Sequence, residues 1–474
     1  MIKKIPQHHI EKLKEISGFN GWINEPTLMQ NYLSDQRNIY KNTSQVILRP
    51  NSTDTVSKIV SYCYENKIPI VPQGGNTGLV GGTTSGIEYN EIIINLDRMQ
   101  SIREILEDDS SIIVESGIKL FEIQKIAKSI NKIFPLSLAS EGSCQIGGNL
   151  ATNAGGIHVI RYGNTRDLVL GIEVVLSNGS IINNLKVLKK NNAGYDLKNL
   201  FIGSEGTLGI ITAAALKLFP MPYQKNTMIL SVDNLEKGLK LYSLLKNEFG
   251  ENISAFEFMS QYSLELANKH ILKVDNPFKN ERANWYFLIN IDSNIKKVDL
   301  TSIIEETIHS AIKKNIISNA LISQNLTQSN SLWKIRESIP EAQKREGRSI
   351  KNDISVPISL MPNFISTACK KIKEMYPDIL PCIFGHFGDG NIHFNFSIPK
   401  NYEEEKYRLC LLEIKKIINE LTALNNGSIS AEHGIGLAKR KDYSEFADTN
   451  ELETIKKIKK SLDPKSILNP GKIF

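Results

Sequence analysis

Two short stretches of this chain combine residue types that can hold a metal ion and move a proton. The first is Phe384-Gly-His-Phe-Gly-Asp-Gly-Asn-Ile-His-Phe-Asn-Phe396. Apolar residues flank Gly388-Asp-Gly-Asn391, so the segment can fold back as a hairpin or tight loop and bring His386 beside His393. Asn395 lies two residues further on and faces the same side if that arm is a strand. The second stretch, Ser430-Ala-Glu-His-Gly-Ile-Gly436, adds Glu432 and His433. Two imidazoles and a carboxylate that leave a coordination position open make a catalytic zinc-type site, which Mn²⁺ or Fe²⁺ could also occupy. A histidine beside phenylalanine is more often a satisfied core residue; the pairing across a turn together with Glu432 favours metal. Neighbouring side chains diverge in an extended loop, so Glu432 and His433 do not both ligate easily. One ligates and the other is the acid/base, a task that suits an imidazole near neutral pH. Arg336 offers a bidentate fork for a carboxylate and Lys351 a point charge, although composition alone makes both solvated surface charges.

The elements that must position such groups are marked by glycine. After the short apolar strand Ile68-Pro-Ile-Val71 comes Pro72-Gln-Gly-Gly-Asn-Thr-Gly-Leu-Val-Gly-Gly82, which places five glycines in one loop. Residues without a Cβ let backbone N–H groups converge on an anion, and a diphosphate is the natural guest. The spacing matches neither of the two common nucleotide fingerprints, so alone it reads equally as a plain turn. Two further clusters follow, at Ser140 to Gly156 and at Asp196 to Thr212. Between them Gly171 to Ile182 reads as a hairpin turning at Asn178-Gly179. Three clusters in one region are hard to explain as turns alone.

Hydrophobic periodicity organises the remainder. Ile10, Leu13 and Ile16 mark a short opening helix, and a helix capped by Asp54 carries Val56, Ile59, Val60 and Cys63 on its inner face. Ile92 to Leu96 and Ile112 to Val114 read as strands, Leu120 to Ile130 as a helix, and Ala213 to Leu218 as another strand. Beyond Phe219-Pro-Met-Pro222 the glycines thin out and helical patterns such as Leu235 to Phe249 and Ile303 to Ile317 take over. The class expected is α+β. A helical segment covers 1–44, a nucleotide-type domain 45–222 and a substrate or cap domain with an antiparallel sheet 223–440. The last segment, 441–474, packs back on the nucleotide-type domain.

Composition narrows the functional class. A chain of 474 residues with 41% hydrophobic and 23% charged residues is long enough for two or more globular domains. A formal net charge of +6 invites a nucleic-acid reading, but the lysines are dispersed and form no basic stripe interleaved with aromatics, so no nucleic-acid partner is expected. Five widely spaced cysteines without a C-x-x-C pair imply reduced thiols in a cytosol-like compartment. No signal-like core or run of about 18 apolar residues is present, which implies no membrane span and leaves a peripheral contact open.

Six segments in order resemble the flavin-linked 2-hydroxy-acid dehydrogenases of the vanillyl-alcohol-oxidase (PCMH-type FAD-binding) fold, which include enzymes for D-2-hydroxyglutarate, D-lactate and glycolate. They are Pro72-Gln-Gly-Gly-Asn-Thr-Gly, Gly147-Gly-Asn-Leu-Ala-Thr-Asn-Ala-Gly-Gly, Gly203-Ser-Glu-Gly-Thr-Leu-Gly, Gly385-His-Phe-Gly-Asp-Gly-Asn-Ile-His, Ala431-Glu-His-Gly-Ile-Gly and Leu468-Asn-Pro-Gly-Lys. The likeness implies FAD with its diphosphate on Gly74, Gly75, Asn76, Thr77 and Gly78, next to Pro72. Gly142, Ser143, Gly148, Asn149, Asn153, Gly155, Gly156, Glu205, Gly209, Ile210, Ile211 and Asn469 would line the rest. Covalent members often anchor the flavin through a histidine in the first loop; this loop has none, which implies non-covalent FAD. The same resemblance implies metal ligands His386, His393 and Glu432, the base His433, and substrate contacts from Arg336, Lys351 and Asn395. The implied reaction is metal-assisted oxidation of a D-2-hydroxy acid to the 2-oxo acid, with hydride passing to flavin N5. A glycolate-oxidase-type FAD subunit and a flavin- or metal-binding module without turnover are the alternatives. Where hydroxyglutarate enzymes carry a threonine hydroxyl four residues after the substrate arginine, this chain has Pro340, which keeps D-lactate close behind. A quinone, cytochrome or electron-transfer flavoprotein as acceptor, a homodimer, and a cytoplasmic location touching the inner face of a membrane complete the expectations.

Overall fold

The structure is a computed structural model that describes residues 4–40, 42–86, 90–278 and 282–474. The class is α+β, and the chain divides into two compact units. The first comprises Met1–Gly155, Gly163–Pro220 and Glu432–Phe474; the second comprises Gly156–Tyr162 and Met221–Ala431. The change of unit at Pro220 falls in the double-proline segment. The chain re-enters the first unit at Glu432, ahead of residue 441, so the Glu432-His433 dipeptide belongs to the first unit.

Two larger sheets and a two-stranded pair, Lys132–Ile133 with Phe219–Pro220, build the first unit. Strands Ile47–Leu48, Ile92–Asn95 and Ile70–Gln73 pair in parallel, with Trp22–Ile23 antiparallel at the edge. The parallel strands are mostly Ile, Val and Leu, the composition expected of a parallel sheet buried on both faces. Helix Thr53–Asn66 packs Val56, Ile59, Val60 and Cys63 into the same core. Its cap is Ser52, whose side chain accepts from the Thr55 amide, and not Asp54. Asp54 occupies the first helical turn, where a carboxylate suits the helix dipole, and reaches Lys58 at 2.7 Å. The second sheet is antiparallel, in the order Ile102–Leu106, Ser111–Glu115, Ile210–Lys217, Val169–Val175 and Ile181–Asn184. Its last two strands form the hairpin, turning at Gly179 with φ 87°. After helix Thr449–Leu462 the C-terminal segment runs beside Ile70, whose amide bonds to Ile467 O at 2.7 Å and whose carbonyl receives the Asn469 amide at 2.7 Å.

The second unit is one antiparallel sheet of Asn319–Ile322, Gln224–Val232, Trp285–Ser293, Ile253–Ser260, Leu380–His386, Asn391–Ser397 and Ser349–Ile350, with Asp353–Ser355 also pairing Asn391–Ser397. One face packs against helices Leu235–Phe249, Leu300–Lys313, Met361–Met375 and Glu404–Leu424. The other face packs Met259, Tyr286, Leu288, Cys382 and Phe384 against helices Gln261–His270 and Leu326–Glu346. Alternation along strand Leu380–His386 puts Phe384 and His386 on this second face, where helix Leu326–Glu346 carries Arg336. All five cysteines are unpaired.

Candidate active site

In the first unit, a cavity opens where strand Ile70–Gln73 runs into the first glycine loop. Its walls are Pro72 to Gly78, the 144–149 segment, Ser204 to Gly206 and Gly209 to Ile211, with His433 among them. Backbone makes part of this surface. A Cβ on Gly75 would come within 2.2 Å of Ser143 O, so the first two glycine segments touch main chain to main chain. Asn76 adopts the left-handed conformation at φ 55°, and its Nδ2 donates to Ser34 O at 2.7 Å. Of the residues singled out from sequence, Pro72, Gly74, Gly75, Asn76, Thr77, Gly78, Gly148, Asn149, Glu205, Gly209, Ile210 and Ile211 line the cavity. Gly142 and Ser143 are exposed and Gly155 is buried behind it. Asn153 accepts the Arg166 amide at 2.9 Å, and Gly156 falls in the second unit. Asn469 ties two walls together, its Nδ2 donating to Gly82 O at 2.9 Å and Glu205 O at 2.7 Å.

The loop that follows His433 is anchored through its backbone amides. Glu205 accepts the amides of Ile435 at 2.7 Å and Gly436 at 2.8 Å, one on each carboxylate oxygen. Burial pushes the Glu205 carboxyl up from its ordinary value, and these two amides oppose the rise. Val80 O accepts Leu437 N and Ala438 N at 2.9 Å each, and Gly436 O accepts Ile473 N at 3.0 Å. Gly436 sits at φ 50° with space for no side chain, since a Cβ would lie 2.4 Å from Val80 O.

In the second unit, strands Leu380–His386 and Asn391–Ser397 form a hairpin in which Phe384 faces His393 and His386 faces Asn391. Gly390, at φ 82°, makes the turn. The His386 and His393 rings are 5.5 Å apart at 76°. His386 Nδ1 is 2.6 Å from Oε1 of Glu257, a carboxylate with no exposed surface. The other oxygen, Oε2, receives Nε and Nη2 of Arg336 at 2.9 Å each. Burial works to raise the Glu257 carboxyl, while the His386 and Arg336 charges outweigh it and hold the group below the ordinary glutamate range. His393 has its own carboxylate, Asp353 Oδ1, 3.6 Å from Nδ1, and Asn391 Nδ2 holds that oxygen at 2.9 Å.

The surface-charge reading fails for Arg336, which is buried and lies 4.8 Å over the Phe384 ring; Lys351 is exposed. Asn395 is buried next to them. Its Oδ1 accepts the Asn352 amide at 3.1 Å and its Nδ2 donates to Gln343 Oε1 at 3.0 Å. Sequence reading missed Glu257, Asp353 and Gln343. The signal for Glu257 was one acid within the otherwise apolar strand Ile253-Ser-Ala-Phe-Glu-Phe-Met259, because a carboxylate there must find a cation or a donor.

Two family models cover most of the chain. Residues 44–184 match the FAD binding domain, and 221–473 match the C-terminal domain of FAD linked oxidases. This chain belongs to the FAD-linked oxidase family. D-2-hydroxyglutarate dehydrogenase of Arabidopsis thaliana, described as mitochondrial, is 35% identical to this FAD-linked oxidase over 476 residues, 100% of this chain and 83% of that protein. A D-2-hydroxyglutarate–pyruvate transhydrogenase of Saccharomyces cerevisiae is 35% identical over 457 residues, 94% of this chain and 90% of that one. Among solved structures, p-cresol methylhydroxylase superposes at a TM-score of 0.78 with 15% identity, covering 100% of this chain and 98% of that one, a likeness of fold alone. The expected PCMH-type FAD-binding architecture and the expected enzyme class, an FAD-linked oxidoreductase acting on a CH–OH group, both hold.

The cavity of the first unit suits the cofactor this family carries. Gln145 Oε1, Asn149 Oδ1 and Ser116 Oγ are buried in its lining without a hydrogen-bond partner, which leaves them for the polar edge of a bound ring. The glycine loop would take the diphosphate. Among the described residues no helix is long and apolar enough to cross a membrane.

Proposed function

We propose that this oxidoreductase converts a D-2-hydroxy acid, D-2-hydroxyglutarate foremost, to the 2-oxo acid by metal-assisted dehydrogenation. The observation that carries the reading is the position of His433, a proton acceptor in the wall of the cofactor cavity. When bound, FAD supplies the two-electron acceptor and a divalent cation, zinc before manganese or iron, a Lewis acid. His386, His393 and Glu432 would hold the cation; both imidazoles turn Nδ1 toward a carboxylate, and Nε2 would be the ligating atom. Glu432 follows Ala431, whose amide bonds to Asp353 O at 3.4 Å in the second unit. His433 removes the proton of the substrate hydroxyl. Arg336 binds a substrate carboxylate through the guanidinium edge that Glu257 does not use, with Lys351 and Asn395 beside it. FAD is held non-covalently by the glycine loop.

Preference for a carboxyethyl side over a methyl is the finer part of the proposal. Pro340 lies one turn beyond Arg336 in helix Leu326–Glu346 and presents no side-chain donor, an observation that favours D-lactate as the second reading. Both relatives are named for the longer acid. An external quinone, cytochrome or flavoprotein acceptor, a homodimer and a cytoplasmic site of action belong to the same proposal. The test is anaerobic mixing of the yellow protein with D- and L-2-hydroxyglutarate, D-lactate and glycolate. Bleaching of the flavin by the D-acids is expected, fastest with D-2-hydroxyglutarate. A flavin that no acid reduces would leave only a binding module.

A further inference from the structure

We propose that Glu257 is a positioning residue that fixes the metal ligand His386 and the carboxylate receptor Arg336 in one register. The inference rests on the metal-assisted reading above and adds a residue to it. Glu257 stands directly opposite His386 across the sheet, so the pairing of two strands, and not a mobile loop, sets their separation. Its neighbours Ala255, Phe256, Phe258 and Met259 are buried and apolar. A carboxylate is costly in such a place unless each oxygen is engaged, and here each is. Oε1 lies 2.6 Å from His386 Nδ1, while Oε2 receives Arg336 Nε and Nη2 at 2.9 Å each.

Each contact has a separate consequence. A proton kept on Nδ1 by the carboxylate puts the lone pair on Nε2 and makes that nitrogen a better donor to a cation. The contact to Nε and Nη2 consumes one edge of the guanidinium, and the Nη1 side keeps its hydrogen-bonding capacity for a planar carboxylate. Phe384 under the guanidinium, at 4.8 Å, opposes rotation out of that plane. One acidic side chain therefore fixes both where a cation would sit and where a carboxylate would dock. Asp353 lies 3.6 Å from His393 Nδ1, a longer approach than the 2.6 Å between Glu257 and His386 Nδ1.

The test is Glu257→Gln in the full-length flavoprotein, which preserves shape and removes the charge. Equilibrium dialysis against Zn²⁺ alone is expected to show zinc affinity about 10- to 100-fold weaker, the usual scale for a lost partner of a metal-bound histidine. The KM for D-2-hydroxyglutarate is expected to rise as well, with FAD content unchanged. Excess Zn²⁺ should restore kcat and leave KM raised, because the cation cannot reposition Arg336; a merely structural role would not divide the two constants. A folded variant with wild-type zinc affinity and wild-type KM overturns the inference. If the glutamine variant does not fold, Glu257→Asp, which keeps the charge and withdraws it by one methylene, is expected to weaken zinc binding to a lesser degree, and unchanged affinity there overturns the inference equally. A wild-type protein that takes up no zinc overturns the metal-assisted reading itself and this inference with it.

Discussion

Around the cavity of the first unit the anchored groups are main-chain amides, whereas in the second unit they are charged side chains. His433 stays in place because Glu205 and Val80 O grip the amides of the four residues Ile435 to Ala438. His386 and Arg336 stay in place because one buried carboxylate balances them. The first arrangement is sensitive to volume, since any Cβ at Gly75 or Gly436 meets a carbonyl. The second is sensitive to charge, since removing one partner strands another in a dry interior. Volume is the appropriate constraint for cradling a large planar cofactor, and charge balance for a cation and an acid. Substitutions that change one property without the other should therefore separate the units.

The largest effect is expected for His433→Ala. Removing the proton acceptor should lower kcat about 10²- to 10⁴-fold, with FAD retained as judged by absorbance; turnover near normal would remove His433 from the chemistry. Gly436→Val is expected to come next, at tenfold or more in kcat. It adds bulk 2.4 Å from Val80 O at a φ of 50°, so the histidine loop must shift while every charge is kept. A variant as active as wild type would show that the loop tolerates volume. His386→Ala should abolish stoichiometric zinc by elemental analysis and leave the flavin spectrum intact, and full metal content would exclude it as a ligand. The smallest effect concerns acid stability. Arg103, Thr53 and Thr212 overcome the effect of burial and hold the Glu173 carboxyl below its ordinary value of 4.5. A carboxyl depressed on folding stabilises above the unfolded value and loses that contribution as pH falls through the folded one. Melting curves between pH 3 and 7 should thus show a steeper acid limb, below about 4.5, for wild type than for Glu173→Gln; parallel curves would contradict this.

The glycine-lined cavity of the first unit was more legible in the sequence than the charged cluster of the second. Glycines announce close backbone approach by their own identity, so the loop at Pro72 to Gly82 was found without any knowledge of what faces it. The histidine hairpin was legible for a similar reason, because Gly388-Asp-Gly-Asn391 is a local turn signal and its two histidines lie seven residues apart. Glu257 is 129 residues from His386, and only the register of the sheet brings them together. Helix capping was misread at Asp54 because Ser52 and Asp54 are both competent caps two residues apart, and backbone geometry decides between them. Arg336 was ambiguous because a charge on an amphipathic helix looks solvated until the buried acid opposite it is known.

The central claim is that metal and flavin act on the same hydroxy acid. It is tested most directly by stopped-flow reduction of the FAD by D-2-hydroxyglutarate, without oxygen, in zinc-loaded and chelator-treated protein. The account predicts fast bleaching in the first and reduction slower by about 10²-fold or more in the second, in line with the several kcal/mol a Lewis-acid ion contributes, with FAD still bound and zinc restoring the rate. Equal rates with and without the metal would contradict it.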